Sequence, residues 1–191
     1  MKNLSNIHFS RLAWGGLVYN LAVILWGAWV RITGSGAGCG DHWPTCGGEI
    51  IPRSPGLETI IEFSHRLTSG LTLIFAIILL VLARRVFEKG HRARTAAWVT
   101  LIFILLEAAL GALLVLKGLV ADDTSSARAI VVALHLVNTL GLVGGGALMA
   151  WWSVDRPRSS GTGVRTASLW VLLIGLVMVG ATGAITALGD T

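Results

Sequence analysis

Five apolar stretches of roughly 18–24 residues, each long enough to span a bilayer as a helix, constrain this chain more than any other feature of it. They run at about Leu12–Val30, Ile60–Ala83, Ala96–Leu116, Ala129–Trp152 and Ala167–Leu188. A helix satisfies its own backbone polar groups inside hydrocarbon, and an open strand does not. The sequence therefore predicts an all-α integral membrane protein. Residues 1–155 are expected to form an antiparallel four-helix transmembrane bundle, and residues 156–191 a loop and a fifth span. Composition agrees, because 54% hydrophobic and 13% charged residues, with mean hydropathy +0.75, exclude an ordinary soluble domain. The formal charge of +5 lies in short loops between the spans, which argues for membrane orientation and against a nucleic-acid partner. The first run is too long and Trp-rich for a cleaved signal peptide, and Arg31-Ile32-Thr33-Gly34 offers no clear cleavage site.

Lys2, Arg11, Arg84, Arg85, Lys89, Arg92, Arg94, Arg156, Arg158 and Arg165 fall on one side of this arrangement. Arg31, Arg53, Arg66, Lys117 and Arg128 fall on the other. The ten-to-five split predicts a cytoplasmic N-terminus, outer loops over 31–59 and 117–128, and a multi-pass protein of the plasma (inner) membrane. Trp14, Trp98, Trp151, Trp152 and Trp170 then lie near inner ends and Trp29 near an outer one, as an interfacial aromatic belt requires.

The first outer loop is rich in glycine and contains Cys39-Gly40-Asp41-His42-Trp43-Pro44-Thr45-Cys46. Glycines permit tight turns, while Trp43 and Pro44 argue for a packed loop that folds back over the bundle. Cys39 and Cys46 are the two cysteines of the chain. A disulfide is the reading that an oxidising compartment favours. A metal site built from Cys39, Cys46 and His42 lacks paired short spacings, and free thiols are the third alternative.

Glu62-Phe63-Ser64-His65-Arg66 opens the second span with three ionisable groups at the membrane edge, where such groups are costly and usually functional. Thr59 and Glu62 match a capping box, with Thr59 as N-cap, so capping and chemistry compete for Glu62. His135 enters the fourth span about as far as His65 enters the second, and both spans run in the same direction. The two imidazoles are therefore expected at one depth, facing across the bundle. Such a pair suits the axial positions of a haem iron, whereas zinc needs further ligands. Arg66 and Arg128 are candidates to meet haem propionates, or else interfacial anchors. His8 and His91 read as solvated. Glu107, inside the third span, needs a proton or a partner. Gly70, Gly111, Gly141, Gly144, Gly145 and Gly146 offer small faces for close helix approach or for a flat ligand. Thr33-Gly34 and Gly40-Asp41 recur at the same offset as Thr182-Gly183 and Gly189-Asp190, so span five reads as the start of a second copy of the bundle.

Three motifs together, Thr33-Gly34-Ser35-Gly36-Ala37-Gly38 with Cys39 through Pro44, Glu62 through Arg66, and His135-Leu136-Val137-Asn138-Thr139, resemble the haem A synthase family over essentially the whole chain. The resemblance implies two pseudo-symmetric four-helix bundles and oxidation of a porphyrin methyl group of haem O to a formyl group, giving haem A for terminal oxidases. It implies that His65 and His135 are the axial pair for the substrate haem. Glu62 becomes the catalytic acidic residue, and Cys39 and Cys46 the outer-loop pair. Glu107 departs from the amide that the resemblance leads one to expect. A second bundle carrying haem b is also implied, so these 191 residues alone are expected to bind haem without turning over, unless self-association supplies the missing C-terminal bundle. Expected partners are haem O, membrane lipid, and haem O synthase or oxidase assembly proteins. A rival reading is a bis-histidine membrane cytochrome b exchanging electrons with quinone, which needs the histidines but neither Glu62 nor the cysteine loop. A haem carrier without redox chemistry is a third.

Overall fold

The computed structural model describes residues 2–120 and 123–154, with scattered positions from 170 to 182. Four long helices carry the architecture: α1 (Lys2–Ile32), α2 (Leu57–Val86), α3 (Arg92–Leu116) and α4 (Ser126–Trp152), with a short 3-10 turn over Ser35–Ala37. All four are long and apolar enough to cross a membrane, so the chain is an all-helical, multi-pass membrane protein. The fifth span, Ala167–Leu188, lies largely outside the described residues. Gly183 and Gly189-Asp190 of the repeat lie outside them too.

Each helix begins before its apolar stretch, α1 ten residues ahead of Leu12, and α1 and α2 also run past its far end. Bilayer thickness limits the apolar run, while the helix itself continues into the headgroup layer on long basic side chains. Arg84 and Arg85 close α2, where cations favour the negative end of the helix dipole. His91 corrects the expectation of a solvated residue. Its ring accepts the Ala93 N–H at 3.2 Å as the N-cap of α3 and stacks on Phe87 at 4.5 Å. His8 is exposed, as expected.

The helices form a closed ring in which α1 packs on α2, α2 on α3, α3 on α4 and α4 on α1. Helices α2 and α4 therefore occupy one diagonal. The main apolar cluster joins Phe9 and Ala13 to Leu79, Leu80, Ala83 and Phe87, then to Ala93, Ala96, Ala97, Met149 and Ala150. Small residues dominate it, because without a hydrophobic drive between helices in lipid, association depends on close backbone approach. Three of the glycines singled out in the sequence make such approaches: a Cβ would stand 2.5 Å from the Phe103 ring at Gly141, 3.0 Å from Thr100 at Gly145 and 3.3 Å from Leu17 at Gly146. At Gly70, Gly111 and Gly144 it would meet nothing within 4 Å.

This cluster fills the end of the bundle remote from the Cys39–Cys46 loop, and a smaller one, Ala76, Ile104 and Leu142, sits midway. Towards the loop the described residues form no comparable apolar cluster. The ionisable groups inside the bundle lie there.

Candidate functional site

His65 stands eight residues past the start of α2 and His135 nine past the start of α4. At a rise of about 1.5 Å per residue the two lie within about one residue of the same level. They occupy the diagonal pair of helices. The Nδ1 atom of each is buried without a hydrogen-bond partner. Buried polar atoms are normally paired, so these two unbonded ring nitrogens single out the histidines within the bundle. Gly27 of α1 makes room for the first ring: a Cβ there would stand 2.8 Å from Cε1 and 3.1 Å from Nε2 of His65.

Above this pair the loop is clamped to α2. Cys39 and Cys46 form a disulfide. The capping box is corrected, because α2 starts at Leu57 with Gly56 as N-cap and no side chain caps it. Thr59 instead donates its hydroxyl to the Gly38 carbonyl at 2.7 Å, and the Glu62 carboxylate, 3% exposed, accepts the Cys39 N–H at 2.7 Å. Arg66, one turn on, donates Nε to Glu62 at 3.1 Å and pairs with it again through Nη2. Its Nη1 reaches the His42 and Thr45 carbonyls, both at 2.6 Å. The i,i+4 spacing that aligns Glu62 and Arg66 on one face thus staples a loop onto a helix. Gly38 is essential to the fit, since a Cβ there would lie 2.5 Å from the Glu58 carbonyl and 2.6 Å from the Thr59 nitrogen. Backbone cannot step aside as a side-chain tip can, so Gly38→Ala should cost about 1–3 kcal/mol. It should also speed proteolysis of the loop. An unchanged melting curve and digestion rate in detergent would disprove the close fit.

Across the bundle, the Glu107 carboxylate of α3 accepts hydrogen bonds from Asn138 Nδ2 and Thr139 Oγ1 of α4. Asn138 also donates to the Phe103 carbonyl at 2.9 Å. His135 Nδ1 lies 3.5 Å from Glu107 Oε1, close but not aligned as a hydrogen bond. An intramembrane carboxylate thereby finds two hydrogen-bond donors on α4, with His135 beside them. Sequence reasoning located Glu107 but not its partners; the signal available was Asn138 and Thr139 lying one turn beyond His135.

The two arginines proposed for propionates part ways. Arg66 is held by Glu62 and the loop, with its side chain 12% exposed. Arg128, in the first turn of α4, donates Nη1 to the Asp123 carbonyl at 2.5 Å and lies near enough to Arg31 of α1 for their charges to interact. Among the described residues, no group of three or more His, Cys, Asp or Glu side chains is placed to hold a metal ion.

This geometry can be set beside known proteins. A Thermus thermophilus protein named protoheme IX farnesyltransferase is 51% identical over 187 residues, which are 95% of this chain and 31% of that protein. A Heme A synthase of Bacillus mycoides is 43% identical over 98 residues, 51% of this chain and 32% of that protein. The chain thus spans about a third of the length of these curated relatives. No solved structure matches it significantly. The family model for cytochrome oxidase assembly proteins (COX15-CtaA) matches residues 10–191, and the chain belongs to that family.

Proposed function

We propose that this chain is a haem-binding module of a haem A synthase, a membrane oxidoreductase that converts haem O to haem A, and that His65 and His135 are the axial ligands of the substrate haem. The observation that carries the reading is the pair of half-buried imidazoles on diagonal helices, neither ring engaged in a hydrogen bond within the bundle, in the half of the bundle that lacks an apolar cluster. The donor set fits the group, because a six-coordinate haem iron takes two neutral imidazoles and needs no further protein ligand. The names of the relatives support a haem-class ligand, one for haem A synthesis and one for farnesyl transfer to protohaem. The basic residues support a cytoplasmic N-terminus in the plasma membrane, with the cysteine loop outside.

Methyl to formyl is a four-electron oxidation that takes one oxygen atom from water and releases four protons, so an electron acceptor must serve the protein. Glu62, one turn before His65 on α2, is the residue to stabilise a developing positive charge or to take a proton from the attacking water. Its bonds to Arg66 and Cys39 hold the carboxylate in place. Arg66 serves the loop and Arg128 the Asp123 carbonyl, so a propionate contact by either would add to bonds already made. The Glu62–loop connection favours the synthase over a cytochrome b, which needs no such arrangement.

The test is the visible spectrum and pyridine haemochrome of the detergent-purified chain supplied with haem O, followed by mass analysis of the porphyrin after incubation with an electron acceptor. A low-spin bis-imidazole haem is expected, and a formylated porphyrin where turnover occurs. A folded chain that takes up no haem would end the reading. Haem bound but never altered would favour the cytochrome.

A further inference from the structure

We propose that Glu107 is a positioning residue for His135: it accepts a hydrogen bond from Nδ1 of that imidazole, making His135 the fixed ligand of the bound haem and His65 the displaceable one. The proposal rests on the reading of the two histidines as axial ligands. A neutral imidazole that offers Nε2 to a metal carries its proton on Nδ1, and a buried N–H needs an acceptor. For His135 that acceptor stands 3.5 Å away as Glu107 Oε1, within reach of a small rotation of the ring. The carboxylate is itself fixed by Asn138 and Thr139, one turn further along the same helix as His135. Ligand, acceptor and braces thus form one unit across α3 and α4.

His65 has no equivalent. Its Nδ1, unbonded like that of His135, has no carboxylate within ion-pair distance among the described residues, and the neighbouring Ser69 hydroxyl is spent on the His65 carbonyl at 2.7 Å. Its ring lies instead against the bare backbone of Gly27. The two ligands are therefore unequal by construction. A carboxylate accepting from a ligating imidazole increases its basicity and favours ferric over ferrous iron, while an unsupported imidazole leaves more readily. The displaceable side is that of α2, which also carries Glu62.

A simpler role for Glu107, tying α3 to α4, would change thermal stability but not the electronic state of a bound haem. The experiment therefore measures the reduction potential of the full chain loaded with haem b, intact and as Glu107→Gln, and carbon monoxide binding to the reduced forms. Glu107→Gln is expected to raise the potential so that the ferric-to-ferrous ratio at a fixed potential falls about tenfold, which corresponds to about 59 mV for one electron. Carbon monoxide on the intact reduced chain should give the spectrum of His65→Ala with carbon monoxide, and not that of His135→Ala. An unchanged potential in a Glu107→Gln chain that keeps both ligands, or displacement of His135 by carbon monoxide, overturns the proposal and leaves the haem site standing. If Glu107→Gln does not fold, Glu107→Asp serves instead, since withdrawing the carboxylate by one methylene should shift the potential in the same direction. If the intact chain binds no haem, or either histidine variant keeps the low-spin spectrum, the haem reading itself fails and this inference with it.

Discussion

Replacing His135 or His65 with alanine is expected to abolish the low-spin bis-imidazole spectrum of the haem-loaded chain while leaving the helical content intact. Both side chains are only partly buried, so truncation removes few contacts that hold the bundle. The loss falls on the ligand. Removing an outer-shell partner of a metal ligand typically costs roughly 10–100-fold in affinity, and removing the ligand itself should exceed that. The two variants should also differ. His65→Ala retains the ligand backed by Glu107, so more haem should stay bound, in a high-spin form, than in His135→Ala. Haem stoichiometry after gel filtration, read with the absorption spectrum, checks both statements. Undiminished low-spin haem in either variant would remove that histidine from the site.

Glu62→Ala should be the most destabilising single change at the loop end. It leaves the Arg66 guanidinium, 12% exposed, without its carboxylate and the Cys39 N–H without its acceptor. Breaking a buried ion pair from one side costs about 3–5 kcal/mol, and an orphaned buried N–H about 1–3 kcal/mol. Partial access of Arg66 to solvent, and its two loop carbonyls, place the expected total near the lower figure for the pair. Thermal unfolding in detergent and limited proteolysis within 33–56 should both report it. Glu62→Gln is the milder variant: its single amide oxygen can still accept from Arg66 or from Cys39, which now bond to different carboxylate oxygens, so it keeps one of the two anchors and removes the charge. That variant is expected to bind haem while turnover is lost. Normal turnover in Glu62→Gln would leave Glu62 an anchor only; loss of haem with retained folding would make it a positioning residue.

Cys39, half of the disulfide, presents its own N–H to Glu62, and Glu62 lies one turn from His65. The short covalent loop thus ends on the carboxylate closest in sequence to that histidine.

What the sequence by itself determined is what hydropathy and helical period can encode locally. Four of the five apolar runs coincide with membrane-crossing helices, because a run of that length has no other stable state in a bilayer. The level of His65 and His135 was legible for the same reason, since each is counted from the start of its own helix. The cysteine pair was legible as a disulfide from its short separation within one loop. Only the tertiary structure decided where Glu62 and Glu107 spend their carboxylates. Thr59 and Glu62 carry the local pattern of a capping box, yet their partners are Gly38 and Cys39, more than twenty residues away. Glu107 finds Asn138 and Thr139 across thirty-one and thirty-two residues of chain. A buried carboxylate takes whichever donor the packing delivers, and packing in a ring of four helices depends on which faces close against one another. Local spacing records the helix and its face, while the partner of a buried charge is set by the neighbour.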